Sequence, residues 1–320
     1  MPAPVVIRLP RYVFEETLAG YIGTLLAVDD APAITLDFGH IIYFIPGAIV
    51  ATLAVVKHWL AENRTVSFSN HRTNPVCSYL QRIDFFKQVG LELPESGERR
   101  DAAGRFVPIE EIGENAGKPE EIASKMAECV APGGYLGNEP FQLVQYAGGE
   151  IVTNCKQHAR GAGFVSAQYV QGKDFARLAI ADCGRGIRRS FEETNSPHFR
   201  AGMTDAEAIE TALRPRVSST THLPHAYGAS PNKGVGLSMI RELMQESLGH
   251  MLLISGRSWW WQDGRKAPRS GQFAGERSFQ GTVCAVTFKR EEIVNYRGML
   301  HSAKSTLGLT VAPPPDNLFL

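Results

Sequence analysis

Three polar side chains recur at helical spacing in the stretch EIVTNCKQHA, residues 150–159. Glu150, Asn154 and His158 are four residues apart, so on a helix they share one face, one turn above the next. An ordinary solvated face would mix lysine with glutamate, whereas this one places a carboxylate, a carboxamide and an imidazole in a row. We interpret the row as one wall of a ligand site.

A carboxylate also ends an apolar strand further along the chain. In IADCGRGI, residues 180–187, Asp182 follows the apolar residues and precedes Gly184 and Gly186. A carboxylate at a strand end can accept a hydrogen bond from an exocyclic amine, and glycines let the backbone come close to a flat ligand. This stretch predicts contacts with a flat ring that carries an amine.

Two later stretches add a phosphate site and a hydroxyl. Gly234 and Gly236 in NKGVGLSMIREL open a predicted helix, whose N-terminal N–H groups and dipole favour phosphate. Thr282 begins the predicted strand GTVCAVTF, residues 281–288. Each glycine pair alone marks a turn more often than a phosphate site, so the prediction depends on the four stretches together.

In this order the four stretches resemble the boxes of the GHKL ATP-binding superfamily, which contains gyrase, the Hsp90 chaperones, the histidine kinases and MutL. The matching residues are Glu150 and Asn154 for the N box, Asp182, Gly184 and Gly186 for the first glycine box, Gly234, Gly236 and Leu237 for the second, and Gly281 and Thr282 for the last. The resemblance covers residues 138–290. It implies a Bergerat-type α/β sandwich that binds ATP and Mg²⁺.

The resemblance implies a role for each matched residue. The expected ligand contacts are Asn154 to Mg²⁺, Asp182 to the adenine amine, Gly184 and Gly186 around the adenine, Gly234 and Gly236 to the phosphates with Leu237 in the same box, and Thr282 on the adenine side. Glu150 occupies the place of the family's general base. There it would orient a water or a hydroxyl for attack on the γ-phosphate, for which it must be ionised.

The segment 188–233 is the expected ATP lid. It contains PRVSSTTHLPHAYGASPNKG, which is rich in Ser, Thr, Gly and Pro. Long loops of this kind inside compact domains are usually functional or disordered. Lys233, at the end of the segment, is expected to meet a phosphate.

Simpler interpretations stay open for several residues. Without the other stretches, the polar helix face would be interpreted as solvated and the carboxylate at the strand end as a turn cap. His158 is expected to pack or hydrogen-bond near the site rather than to act in catalysis. Trp259-Trp260-Trp261, in an insertion at 257–280, either forms an interface or a target-binding element, or packs against the insertion's own Phe273 and Phe279.

The elements that must position these residues follow two patterns. Residues 1–92 alternate strands with helices, which predicts a small α/β unit. Residues 93–137 are charged and contain glycine, which predicts a linker with one short helix at 118–131. Residues 138–292 predict an α+β sandwich, and residues 293–320 a peripheral tail.

Bulk composition excludes some classes of protein. Lys+Arg and Asp+Glu both number 33 in the 320 residues, so net charge gives no case for nucleic acid or an anionic membrane as the main partner. The five cysteines form no C-x-x-C pair, as in a reduced chain. The longest apolar run, 41–56, is interrupted by Pro46-Gly47, and the N-terminus does not resemble a signal peptide. We expect a soluble, cytoplasmic protein.

The stretch EIVTNCKQHA is similar to the corresponding helix of the anti-sigma-factor serine kinases. Residues 1–92 resemble the STAS domains that partner those kinases. Where such a domain carries its phosphoacceptor Ser or Thr, this chain reads Phe44-Ile45-Pro46-Gly47-Ala48. The resemblance therefore leaves protein docking or regulation as the expected role of this STAS-like domain.

Three hypotheses about function follow. The first is an ATP-binding regulator that slowly hydrolyses Mg-ATP and whose lid reports the nucleotide state to a protein partner. The second is a serine/threonine protein kinase that acts on a separate chain. The third is a nucleotide-dependent interaction module without turnover. The partner is expected to bind the N-terminal domain or the lid, and the family implies a homodimer.

Overall fold

The computed structural model of the protein describes residues 3–28, 31–94, 102–113, 117–134, 137–219 and 234–310. This part of the chain is a mixed α/β protein that contains both parallel and antiparallel sheets. Lys233, predicted to meet a phosphate, lies outside the described residues.

The N-terminal part contains two small parallel sheets. Its strands are β1 (Val5–Arg8), β2 (Tyr12–Val13), β3 (Ala33–Asp37), β4 (Tyr43–Phe44) and β5 (Thr65–Ser69), and its helices are α1 (Leu18–Leu25), α2 (Pro46–Ala61), α3 (Val76–Arg82) and α4 (Phe85–Gln88). Strands β1, β3 and β5 pair in that order, and β2 pairs with β4.

The rest of the described chain builds one seven-stranded antiparallel sheet. Its strands are β6 (Phe106–Ile112), β7 (Gly163–Val170), β8 (Phe175–Asp182), β9 (His250–Gly256), β10 (Ser258–Asp263), β11 (Arg269–Gln272) and β12 (Phe279–Lys289). Its helices are α5 (Pro119–Val130), α6 (Glu139–His158), α7 (Gly186–Glu193), α8 (Asp205–Ala212), α9 (Gly236–Glu246) and α10 (Tyr296–Thr306). The strand order across the sheet is β11-β10-β9-β12-β8-β7-β6.

Helix α2 joins the N-terminal part to this sheet. The helix is apolar nearly all round, and a helix of that kind is stable only when it is buried on every side. It packs against β5 on one side and against β7, β8 and β12 on the other. Gly47 permits the close approach, because a Cβ there would lie 2.8 Å from Cδ2 of Leu18 and 3.0 Å from Cβ of Ala285.

Alternation along β8 directs its side chains into two cores. Ala179 and Ala181 join the core that contains α2, whereas Leu178 and Ile180 join the core formed with α5, α6, α9 and α10. Asp182 is the next residue in the Leu178–Ile180 series. The last residue of β8 therefore lies on the face of the sheet that α6 and α9 cover.

The segment 93–137, predicted as a linker with one short helix, contains the helix as expected and also a strand. Helix α5 packs along α6, and strand β6 is the edge strand beside β7. The strand is hard to recognise because Pro108 interrupts its alternation and the register shifts between Val107 and Glu110. The prediction of a linker without a strand was wrong at residues 106–112.

Two further predictions need correction. The segment 188–233 was expected to be a structureless lid, but its described part contains most of α7 and all of α8, and only 220–233 fall outside the described residues. The tail at 293–320 was expected to be peripheral, but α10 buries Met299 and Ala303 against the second core. In the described ranges, we find no helix with the length and apolarity needed to cross a membrane.

Candidate functional site

Asp182, the final residue of β8, is the buried carboxylate of the site. Its side chain is 5% exposed. Oδ1 accepts a hydrogen bond from the N–H of Gly184 at 2.8 Å, and the backbone of Thr282 also hydrogen-bonds to the carboxylate. Burial raises the pKa of Asp182 to about 7, against the lowering effect of these two hydrogen bonds. No basic side chain of the described residues forms an ion pair with it.

Glycines around Asp182 let backbone segments meet without side chains between them. A Cβ at Gly184 would overlap the carbonyl oxygen of Ala159, and a Cβ at Gly281 would overlap the carbonyl oxygen of Asp182. Gly186 starts α7 with φ +73°, and a Cβ there would lie 2.8 Å from Oγ of Ser255. The close packing holds Asp182 at the edge of a cavity.

Helix α6 supplies the facing wall. Its N-cap residue Asn138 accepts a hydrogen bond from the N–H of Phe141 at 3.1 Å, which fixes the start of the helix. Nδ2 of Asn154 is buried and has no hydrogen-bond partner among the described residues. A buried amide donor without a partner is costly, so its position next to a cavity indicates that a ligand can satisfy it.

Glu150 lies one turn before Asn154, against the start of α9. A Cβ at Gly236 would overlap Oε2 of Glu150, so glycine is the residue that leaves room for this carboxylate. Burial raises the pKa of Glu150, and a hydrogen bond from the Tyr146 hydroxyl opposes that effect. The carboxylate thus lies where the N-terminal N–H groups of a helix concentrate positive potential.

His158 is the third residue of the polar row and takes part in a hydrogen-bonded chain. Its Nδ1 lies 3.0 Å from Oγ of Ser219, which in turn lies 2.9 Å from Oγ of Ser190. Burial, together with the charge of Arg185, lowers the pKa of His158 to about 4. The imidazole is therefore neutral near pH 7 and connects α6, α7 and the residues before the segment 220–233.

These residues surround a cavity of about 110 Å³. That volume is comparable with the roughly 150 Å³ cavity that holds a benzene-sized ligand. The predicted residues that line it are Asn154, Asp182, Gly186, Gly234, Gly236, Leu237 and Thr282. Glu150 and Gly184 do not line it but contact residues that do.

The remaining walls are mostly apolar and were not predicted from the sequence. They include Ile151, Ile180, Ile187, Phe191 and Leu253. Two of them could have been found from periodicity, because Ile151 precedes Asn154 by three residues on α6 and Ile180 precedes Asp182 by two on β8. The others come from elements far apart in sequence, which no local pattern brings together.

The two ends of the segment 220–233 meet at the rim of the cavity. The N–H of Val217 donates to the carbonyl oxygen of Gly234 at 3.0 Å. Gly234 has φ +63°, and a Cβ there would lie 2.7 Å from the carbonyl carbon of Val217. Ser218 and Ser219 also line the cavity. Ser219 and Gly234, the described residues on either side of 220–233, therefore both border the cavity.

Comparison with known proteins gives no match for this chain: no protein-family model fits it, and no curated protein is significantly similar to it. The chemistry proposed for the cavity therefore depends on its own geometry.

Proposed function

We propose that the protein binds Mg-ATP in this cavity, hydrolyses it slowly, and acts as a regulator of the GHKL type with a Bergerat-type nucleotide-binding domain. The observation that carries the proposal is Asp182, a buried carboxylate that meets no cation among the described residues and borders a ring-sized, mostly apolar cavity. Its two backbone hydrogen bonds only partly offset the cost of burying its charge, so a further hydrogen-bond donor from a ligand would stabilise the charged form.

The adenine ring would occupy this cavity, and its exocyclic amine would donate to the Asp182 carboxylate beside the backbone hydrogen bonds from Gly184 and Thr282. The ring would lie among apolar residues such as Ile180 and Leu253. Thr282 lines the same side and offers a hydroxyl for a further hydrogen bond, directly or through water.

The phosphates would lie beside Gly234 and Gly236, at the start of α9. Helix α9 begins at Gly236 and has 11 residues, so its N-terminal N–H groups and dipole favour a negative group. The contact expected from Lys233 stays a prediction.

The residues present also fit Mg²⁺. The described residues contain no cluster of three or more His, Cys, Asp or Glu side chains, but Mg²⁺ bound with a triphosphate needs only one or two protein ligands. The side-chain oxygen of Asn154 would ligate Mg²⁺. Its Nδ2, which has no partner among the described residues, would donate a hydrogen bond to the ligand. When bound, Mg²⁺ neutralises phosphate charge.

Glu150 is the proposed general base. In its ionised form it would orient a water molecule toward the terminal phosphate and accept the proton. Tyr146 holds the carboxylate by a hydrogen bond from the preceding turn of α6. Because burial raises the pKa of Glu150, the base works best at a pH above the ordinary range of a carboxyl group.

The N-terminal part is proposed to be a STAS-like adaptor for a protein partner. Three parallel strands with α2 between them and the large sheet support this proposal. At the position of the STAS phosphoacceptor, Phe44, Ile45 and Ala48 are buried and carry no hydroxyl that could accept a phosphoryl group. A partner bound to this part would be coupled to the nucleotide site through α2, because α2 packs directly on β8, the strand that ends at Asp182.

Calorimetry with Mg-ATP, followed by phosphate release from the same sample, tests the proposal. We expect binding and slow release for the wild type, and binding without release for Glu150→Gln. Glu128→Gln, an exposed carboxyl on α5, is the matched control and should behave as the wild type. Binding without release in the wild type would favour the kinase or the interaction module, and absence of binding would refute the nucleotide site.

A further inference from the structure

A second cleft lies on the opposite face of the large sheet. It has a volume of about 510 Å³ and runs between α1 and the hairpin of β10 and β11. Leu252 lines this cleft, whereas its neighbour Leu253 on β9 lines the proposed nucleotide cavity. Side chains alternate along a strand, so the two sites are on opposite sides of the sheet. We refer to the second one as the tryptophan cleft.

Two indoles form the floor of the tryptophan cleft. Trp259 and Trp261 are two residues apart on β10 and both line the cleft, while Trp260 belongs to the core on the other face. Trp261 stacks on His250 with ring centroids 5.5 Å apart. Trp259 covers Gly271, where a Cβ would lie 2.6 Å from Cζ2 of the indole. Both rings are therefore held by packing.

Two guanidinium groups line the cleft beside the indoles. Arg269 and Arg277 have no hydrogen bond or ion pair within the described parts of the chain. Two other cations near the hairpin are paired, Arg257 with Glu276 and Lys266 with Asp263. The cleft thus contains two positive groups that are available to a ligand.

The opposite wall, formed by α1 and the residues just before it, has small side chains and carries negative charge. A Cβ at Gly20 of α1 would have no heavy atom within 4 Å, so the cleft is open at this point. Glu15 is engaged by the buried Arg177, which leaves Glu16 as the exposed carboxylate of that wall. An anion is therefore favoured at the hairpin side and disfavoured at the α1 side.

We infer that the tryptophan cleft binds a planar aromatic anion, with its ring against Trp259 and its acidic group on Arg269 and Arg277. The volume lies within the range of small-molecule sites. Arginine matches the flat geometry of an acidic group, and an indole offers a flat apolar face to a ring. This site is independent of the proposed nucleotide site and does not require that function.

Fluorescence titration with two dyes tests this inference. 8-Anilinonaphthalene-1-sulfonate carries an anionic group, and N-phenyl-1-naphthylamine has the same ring system without it. We expect Arg277→Gln to weaken binding of the sulfonate roughly tenfold and to leave binding of the neutral dye unchanged, since a hydrogen bond to a charged group is lost. Glu16→Gln should tighten binding of the sulfonate by roughly twofold.

A blocking variant locates the dye. Gly20→Leu fills the open space and should weaken both dyes roughly tenfold, whereas Gly172→Leu, at another open and exposed glycine, should weaken neither. The inference is wrong if sulfonate affinity changes less than twofold in both Arg277→Gln and Gly20→Leu. It is also wrong if Arg277→Gln weakens the two dyes equally, because the site would then not recognise the negative charge.

Discussion

Replacing Asp182 with Asn should change stability and ATP affinity in opposite directions at alkaline pH. Burial raises the pKa of this carboxyl from its ordinary 3.8 to about 7. Below about pH 4 the group is protonated in both the folded and the unfolded chain. As pH rises toward 7, the unfolded chain releases the proton first, so the free energy of unfolding falls over this range.

The magnitude follows from the two pKa values. At 1.36 kcal/mol for each pKa unit, the native state is destabilised by about 4 kcal/mol at pH 8 and by less than half as much at pH 5. Asp182→Asn removes this destabilisation at both pH values, because the amide does not ionise. The amide has a single acceptor oxygen, so the variant loses one of the hydrogen bonds from Gly184 and Thr282, which costs about 1 to 3 kcal/mol at either pH.

Urea unfolding at pH 5 and pH 8 measures the effect. The difference in unfolding free energy between Asp182→Asn and the wild type should be about 3 kcal/mol more favourable to the variant at pH 8 than at pH 5. ATP affinity at pH 8 should fall roughly tenfold or more, because the amide N–H₂ would face the adenine amine. Glu128→Gln, with an exposed carboxyl, is the control and should show neither change.

A difference in stability that is the same at pH 5 and pH 8 would refute the reasoning about burial of Asp182. If stability changes as expected but ATP affinity does not, the argument about burial of Asp182 stands. The proposed contact between Asp182 and adenine is then refuted. The two measurements therefore separate the electrostatics of the fold from the identity of the ligand.

Three further predictions concern Glu150 and the loop after β8. Gly236→Ala should slow phosphate release at least tenfold in a coupled assay, because the new Cβ displaces the carboxylate of Glu150. The unfolding free energy should stay within about 1 kcal/mol of the wild type, because only the flexible end of that side chain moves. Gly184→Ala should lower the unfolding free energy by about 3 kcal/mol in urea, because its Cβ overlaps the backbone of Ala159. Tyr146→Phe should move the acid limb of the rate–pH profile to higher pH, because it removes the hydrogen bond that lowers the pKa of Glu150.

For each of these predictions, one result would contradict the reasoning. Full phosphate release in Gly236→Ala would mean that the carboxylate beside α9 is not the base. Wild-type stability of Gly184→Ala would mean that the loop after β8 can move away from α6. An acid limb that stays in place, or moves to lower pH, in Tyr146→Phe would exclude the assigned hydrogen bond.

The sequence by itself determined which side chains carry the polar chemistry. The spacing of Glu150, Asn154 and His158 placed them on one helix face, and α6 confirms that helix. The position of Asp182 at the end of an apolar strand and the glycine at the start of α9 were likewise visible, because such features depend on residues only a few positions apart. The function inferred from them stays a proposal.

The tertiary structure alone decided what surrounds these residues. The pKa of Asp182, the contact between Glu150 and Gly236, and the unpartnered Asn154 amide all depend on elements that are distant in sequence. Strand β6 was missed because its pairing with β7, and not its own interrupted alternation, makes it a strand. Burial and pairing are properties of the whole packed chain, which a local pattern of residue types does not contain.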